Sequence, residues 1–325
     1  MSTRRAKSNT GFLIGVGILV VAILVGSAVA TIGTRSRGGI VTTPIPTSQS
    51  DAYPQLFADG LDRQVLVDLE PIRIVSLTPS FTEIAFALGA GSHIIARDEL
   101  STYPSQAIEK PSLSKENRTV EKIKALNPDV VWLGPGDKSL AAELDKAKIT
   151  NLYFDEPVNF RAMISRIYLI SRLVNKRDFA NEIVSPLQTR LSAIDENLKD
   201  VLHGQGMKSY IELNTDFETA SIDTLPGDFL FRLHTTNIFE KAAEKQFIAK
   251  SEDIISGNPD VIFLTQPAEN ENIGTLKKKP GWSEIAAVKS GKVYSVDAIK
   301  VLYGTPRGVD ELERLAKLLY PEKFK

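Results

Sequence analysis

Between residues 71 and 155, short apolar runs alternate with stretches of helical spacing. Ile72-Arg73-Ile74-Val75-Ser76 reads as a buried strand, and Leu77-Thr78-Pro79-Ser80 turns it into a helix carrying Ile84, Phe86, Ala87 and Leu88. Pro79 suits a first helical turn and Gly89 suits the stop. His93 to Ala96, Asp129 to Leu133 and Thr150 to Phe154 are further strand-like runs separated by helical patterns. That alternation predicts an α/β lobe on a parallel sheet over residues 71–155.

From Phe160 to Val201 the period is helical, with Ile164, Ile167, Ile170 and Leu173 on one face and Leu187, Leu191, Ile194 and Leu198 later, interrupted at Pro186. Residues 156–205 are therefore expected to link two lobes. After His203-Gly204-Gln205-Gly206 the alternation resumes through Tyr210 to Leu213, Val261 to Leu264 and Val293 to Val296. Residues 206–325 form the expected second lobe, closed by a helix at about Asp310 to Leu319.

The two lobes carry one repeated unit. TVEKIKALNPDVVWL, residues 119–133, aligns at a single offset with KSEDIISGNPDVIFL, residues 250–264, matching Glu121 to Glu252 and Asn127-Pro128-Asp129-Val130 to Asn258-Pro259-Asp260-Val261. The unit is a short helix, an Asn-Pro stop and a buried strand. Each glutamate falls in a first helical turn, where a carboxylate offsets the helix dipole by about 0.3 to 1 kcal/mol.

The N-terminus follows another pattern. Gly11 to Gly33 contains no charged residue and is long enough to span a bilayer as a helix, with Arg4, Arg5 and Lys7 before it. Residues 1–10 then stay in the cytoplasm and the bulk lies outside. Ala28-Val29-Ala30 also satisfies a signal-peptide cleavage site, so the segment reads either as an anchor or as a signal removed near Ala30, and both routes export the chain. Residues 34–70, rich at their start in Gly, Thr, Pro and Ser, read as an extended stalk.

Composition narrows the chemistry. The 325 residues are 42% hydrophobic and 24% charged with a formal net charge of -1, a globular balance that gives no reason to expect nucleic acid. With no cysteine, disulfides, a catalytic thiol, cysteine metal sites and a lipid-bearing cysteine are all excluded. Three scattered histidines make a poor site for a free first-row metal ion. No Gly-x-Ser-x-Gly elbow, His-Glu-x-x-His helix or phosphate-binding glycine loop places a nucleophile or metal, so no enzyme and no cofactor are expected.

Ile74-Val75-Ser76-Leu77-Thr78-Pro79-Ser80-Phe81-Thr82-Glu83, Tyr103-Pro104, the two Glu-to-Asn-Pro-Asp units, Asn237-Ile238-Phe239, Pro280-Gly281-Trp282 and Gly291-Lys292-Val293-Tyr294 together resemble the substrate-binding proteins of cobalamin, haem and iron-siderophore ABC importers. The resemblance covers about residues 71 to 321. It implies two Rossmann-like lobes joined by a single long helix, a monomer that holds a corrinoid, haem or ferric siderophore in the interlobe cleft, and ABC permease and ATPase subunits as partners. It also implies that Glu121 and Glu252 dock into arginine pockets of the permease, where charge-assisted pairs are strong and geometrically specific. A membrane-tethered sensor or scavenger of the same fold is the alternative.

Cleft candidates lie on strand-end loops. They are Thr78, Pro79 and Ser80, with Gly134 and the aromatic residues Tyr103, Trp132, Phe217, Trp282 and Tyr303, for each of which core packing is the alternative, for Trp132 and Trp282 above all. The opening motif is most similar to cobalamin-binding members, yet Leu100 and Lys115 occupy positions where those members often place a corrin-facing Tyr and Trp. For haem, Tyr103 is a better axial candidate than His93, His203 or His234. For an anionic siderophore, Arg97, Arg232 and Arg307 are the guanidinium candidates.

Overall fold

The computed structural model describes residues 53–265 and 270–325. The apolar run Gly11 to Gly33 and the cleavage point near Ala30 lie outside the described residues. Among the described residues no helix is long and apolar enough to cross a membrane.

Two parallel sheets form the frame. The first runs in the order Ser112–Leu113, Ile94–Asp98, Ile74–Ser76, Val130–Leu133, Asn151–Tyr153, and the second Thr236–Asn237, Lys208–Glu212, Val261–Leu264, Val293–Ser295. Because side chains alternate across a strand, each sheet divides its apolar residues between two cores. In the first sheet Ile74, Val130 and Trp132 enter one core while Val75, Val131 and Leu133 enter another. In the second, Ile211, Val261 and Phe263 share the first sheet's larger core, and Tyr210, Ile262 and Leu264 pack separately with Trp282.

That shared core includes Phe160, Ile167, Ile170, Leu187, Leu191 and Ile194 from the linking segment. The expected single long helix is two helices, Phe160–Leu173 and Arg177–Leu198. The break falls at Val174 to Lys176, where Asn175 takes a left-handed φ of 52°, and Pro186 sits inside the second helix without ending it. Asn is among the few residues that adopt this conformation cheaply, which is why the break falls there. Arg190 fastens the longer helix to the closing helix Gly308–Leu319, reaching Asp310 and Glu313 at 2.6 Å each.

The expected stalk also needs correction, because residues 55–67 are folded. Gln55–Ala58 and Gln64–Val67 pair as an antiparallel hairpin, and Phe57 and Val67 are buried in the large core. Asp59 organises the turn by accepting from the Leu61 and Arg63 N–H groups at 3.0 Å each, and Arg63 continues to Asn151 Oδ1 at 3.0 Å.

The repeated unit has a structural purpose beyond its helix stop. Asn127 and Asn258 are left-handed, with φ of 48° and 46°. Asp129 Oδ2 then accepts from the N–H groups of Ile72 and Arg73 at 2.9 Å, and Asp260 Oδ2 accepts from Lys208 N–H at 2.8 Å. Each aspartate so caps the start of the neighbouring central strand, satisfying donors that the sheet leaves open.

Candidate functional site

Parallel sheets gather functional groups at the carboxyl ends of their strands, and here all five strand ends of the first lobe meet in one cavity of about 150 Å³. Leu77, Thr78 and Pro79 follow Ser76, Glu99 and Leu100 follow Asp98, and Gly134, Pro135 and Asp137 follow Leu133. Lys115 and Arg118 come from beyond Leu113, and Glu156 from beyond Tyr153. Tyr303 closes the cavity from the second lobe. This volume is smaller than that of sites that enclose drug-sized ligands, about 300 to 1,000 Å³.

Local sequence explains the walls. Pro79 starts a helix whose Thr78 cap makes no side-chain bond to the first turn, leaving the Thr78 hydroxyl at the cavity edge, 3.3 Å from Ser80 Oγ. Gly134 permits the next loop to lie close, because a Cβ there would stand 3.2 Å from Thr78 Cβ. Gly304, after Tyr303, is more constrained: its φ is 61°, and a Cβ would meet the Pro157 ring at 2.1 Å. Any side chain at 304 would push the second lobe's loop off the start of the linking segment at Pro157.

The cavity is rich in ionisable groups. Arg118 pairs with Asp137 at 3.0 Å, both largely buried. Asp98 accepts from Leu100 N–H at 2.8 Å and from the Ser101 hydroxyl. Burial raises the carboxyls of Asp98 and Asp137 above their usual range despite these partners. Burial also pushes Glu156 up to about 8 against the pull of Arg166, with Asp155 and Asp98 adding to the rise. Arg166 comes only within 3.7 Å of Glu156 Oε2, and that oxygen is fully enclosed without a hydrogen bond. The Tyr303 phenol is raised by burial and then by Glu156 and Asp98.

The other expected residues go elsewhere. Ser80 is fully buried behind Thr78. Trp132 and Trp282, cleft candidates with core packing as the alternative, are core residues with 0% exposure; Trp132 packs edge-on to Phe81, and Trp282 donates its indole N–H to Ser251 Oγ at 2.8 Å. Phe217 stacks on Trp282 with ring centres 5.4 Å apart and carries Lys279 4.3 Å above its ring, so it closes the second lobe's own core. Tyr103 lies under the Arg307 guanidinium at 3.9 Å and borders a separate groove of about 590 Å³ with Glu83, Phe86 and Pro306.

The three arginines considered for anion binding are all engaged. Arg97 donates to the carbonyls of Ala107 and Asp98 at 2.9 and 2.8 Å, Arg232 pairs with Asp195 and Asp228, and Arg307 grips Glu83 with its Nε and Nη2 at 2.9 Å each. His203 and His234 stack on each other with ring centres 4.0 Å apart, away from the cavity. Among the described residues no group of three or more potential ligands could hold a metal ion.

Sequence reasoning passed over Asp98, Glu99, Arg118, Asp137 and Glu156. Their signal was a charged residue at or just after the end of a buried strand, which interrupts no period and so goes unnoticed. Glu121 and Glu252 are both exposed in the first turns of the helices Val120–Ala125 and Ser251–Gly257. Their surroundings differ in one respect. Thr119 caps the first helix through Lys122 N–H at 3.4 Å, whereas Lys250 makes no side-chain cap. The Glu121 carboxyl is held below its usual range by its own backbone N–H and by the Thr119 hydroxyl.

Residues 74–299 match a family model described as periplasmic binding protein. The chain belongs to that family. The chain is 30% identical over 284 residues to the uncharacterized ABC transporter substrate-binding lipoprotein YvrC of Bacillus subtilis, a match covering 85% of the chain and 89% of the relative. It is 24% identical over 250 residues to a vitamin B12-binding protein of Vibrio campbellii, covering 75% and 88% respectively. Its fold superimposes on a possible iron-binding (periplasmic solute-binding) protein of Staphylococcus epidermidis with a TM-score of 0.67 and 25% identity, over 78% of this chain and 100% of the other.

Proposed function

We propose that this chain is the extracytoplasmic cargo-binding subunit of an ABC importer, which takes a corrinoid, haem or ferric chelate into the interlobe cleft and presents it to a permease through Glu121 and Glu252. The observation that carries this reading is the equivalence of the two glutamates. Both stand exposed in the first turn of the same repeated unit, one per lobe, which suits a carrier that must be recognised at two points by a two-subunit permease. Desolvated carboxylate to arginine pairs give such an encounter both strength and register. The work is capture and release, not catalysis.

The Bacillus subtilis relative is a lipoprotein. The present chain has no cysteine to carry a lipid, so in this reading the apolar run Gly11 to Gly33 supplies the tether.

Thermal melting of the detergent-solubilised full chain against cobalamin, haem and ferric siderophores tests the cargo class. A ligand at 100 times its dissociation constant adds about 2.7 kcal/mol. One class is expected to raise the midpoint by several degrees, and the absence of any shift across all three contradicts the reading.

A further inference from the structure

The cleft cavity carries more negative charge than its own cations offset. Asp98, Glu99, Asp137 and Glu156 line it against Lys115 and Arg118, and Arg118 is committed to Asp137 at 3.0 Å. Glu99 faces solvent, and of the other three Glu156 alone has an enclosed oxygen without a hydrogen bond. The groups that face it are Arg166 from the first of the two linking helices, Asp155 on its own loop, Asp98 from the end of a strand three places away in the sheet, and Tyr303 from the second lobe. Two of these repel its charge, and the guanidinium that attracts it stops at 3.7 Å because it is held elsewhere, donating to the Asp155 carbonyl and lying over the Phe81 ring. A carboxyl with one enclosed, unbonded oxygen is stabilised by a donor or a cation and destabilised by an anion.

We infer that the cavity selects cargo whose cleft-facing edge donates hydrogen bonds and is neutral or positively charged, with Glu156 as the specificity-determining acceptor. The inference rests on the reading of the cleft as the cargo site. It separates chelates that the fold alone treats alike. An amide-rimmed corrinoid or a neutral or cationic hydroxamate complex presents donors to Glu156. The propionates of haem, a ferric tris-catecholate and a small oxyanion bring negative charge to a wall that already repels it. Because Glu156 and Asp98 hold their protons more tightly than usual, a cationic cargo displaces protons on entering and binds better as pH rises.

Isothermal titration of the full chain with cobalamin, a cationic ferric trihydroxamate, haem, a ferric tris-catecholate and molybdate decides the matter. The first two are expected to bind at least about tenfold more tightly than the three anions, the factor that one charge-assisted hydrogen bond supplies. Glu156→Gln should weaken the cationic complex by about the same factor, flatten its rise in affinity between pH 6 and pH 9, and leave or improve anion binding. Lys115→Gln, which removes a cation from the same wall, should shift both classes the opposite way. Tighter binding of an anionic chelate, or a Glu156→Gln variant that changes neither affinity nor pH slope, overturns the charge selection while leaving the cleft a cargo site. If none of the five binds, the cargo-site reading falls and the inference with it.

Discussion

Glu121 and Glu252 stand at the same point of the same unit, but the strand ends beyond those units differ. In the first lobe the strand ends close around a tight cavity of about 150 Å³ with four carboxylates against two cations. In the second lobe the ends of Val261–Leu264 and Val293–Ser295 open on a groove of about 640 Å³ whose charges are paired: Lys300 with Asp297 and Glu311, and Arg314 with Glu311. The second lobe also seals a carboxylate inside. Glu212, at the end of its central strand, has no exposure, accepts from the Tyr210 hydroxyl at 3.1 Å, and is pushed up to about 9 by burial and by Glu271. The repeat thus fixes a common scaffold and a common outer surface. Charge is added to it unequally, with an ionisable cavity in one lobe and paired or enclosed charges in the other.

The largest way to break this arrangement is to separate the lobes where they meet. Glu83 is buried in the first helix and its partner Arg307 lies 224 residues further on. Arg307→Ala leaves that carboxylate enclosed and unpaired, at a cost of about 3 kcal/mol in chemical denaturation. Arg307→Lys should recover little, because a single ammonium cannot reproduce the two guanidinium contacts. A loss below about 1 kcal/mol, the worth of a surface pair, shows that the seam does not depend on this contact.

A pH series compares the two raised glutamates. A carboxyl whose folded value lies above its unfolded value binds its proton more tightly when folded, so its contribution to stability is present at low pH and is lost as pH climbs. For Glu156 the loss runs from the ordinary glutamate value of 4.5 to about 8, and for Glu212 to about 9. Midpoints measured at pH 5, 7 and 9 should therefore fall steadily. Glu212→Gln should flatten the decline more than Glu156→Gln, because Glu212 is wholly enclosed. Equal curves for all three proteins contradict the burial account.

The smallest effect concerns the two tryptophans. Trp282 donates to Ser251, whereas the Trp132 indole nitrogen is buried with no hydrogen-bond partner. Replacing each with Phe removes similar volume, so Trp282→Phe should cost about 1 kcal/mol more than Trp132→Phe. Equal losses show that the hydrogen bond contributes nothing net.

Much of the frame was legible before any coordinates. Periodic patterns located four of the five strands of the first sheet and three of the four of the second, missing the two-residue strands Ser112–Leu113 and Thr236–Asn237, and the repeat announced the lobes' kinship, because these features depend on local burial that a sequence displays directly. Pro186 misled because a proline inside a long helix with other packing need not end it, whereas Asn175 ended one quietly by taking a left-handed conformation. The hairpin at residues 55–67 was hidden by the Pro- and Ser-rich stretch before it, although Leu56 and Leu66 pointing out and Phe57 and Val67 pointing in are the alternation of a half-buried strand pair. The cavity was the least legible. Glu156, Asp98 and Tyr303 meet only because distant strand ends and an opposing loop converge, and the size of Trp132 suggested a ligand platform where its four-residue buried strand fixed a core position. Aromatic identity alone does not distinguish packing from recognition.

The central claim is that two lobes built on one unit present two equivalent docking points. Uptake of the bound cargo by cells or proteoliposomes containing the cognate permease and ATPase tests it, using Glu121→Arg, Glu252→Arg and the double variant beside the parent chain. Each single reversal should sharply reduce uptake and the double reversal abolish it, with cargo affinity in solution unchanged. Undiminished uptake by the double variant contradicts the account.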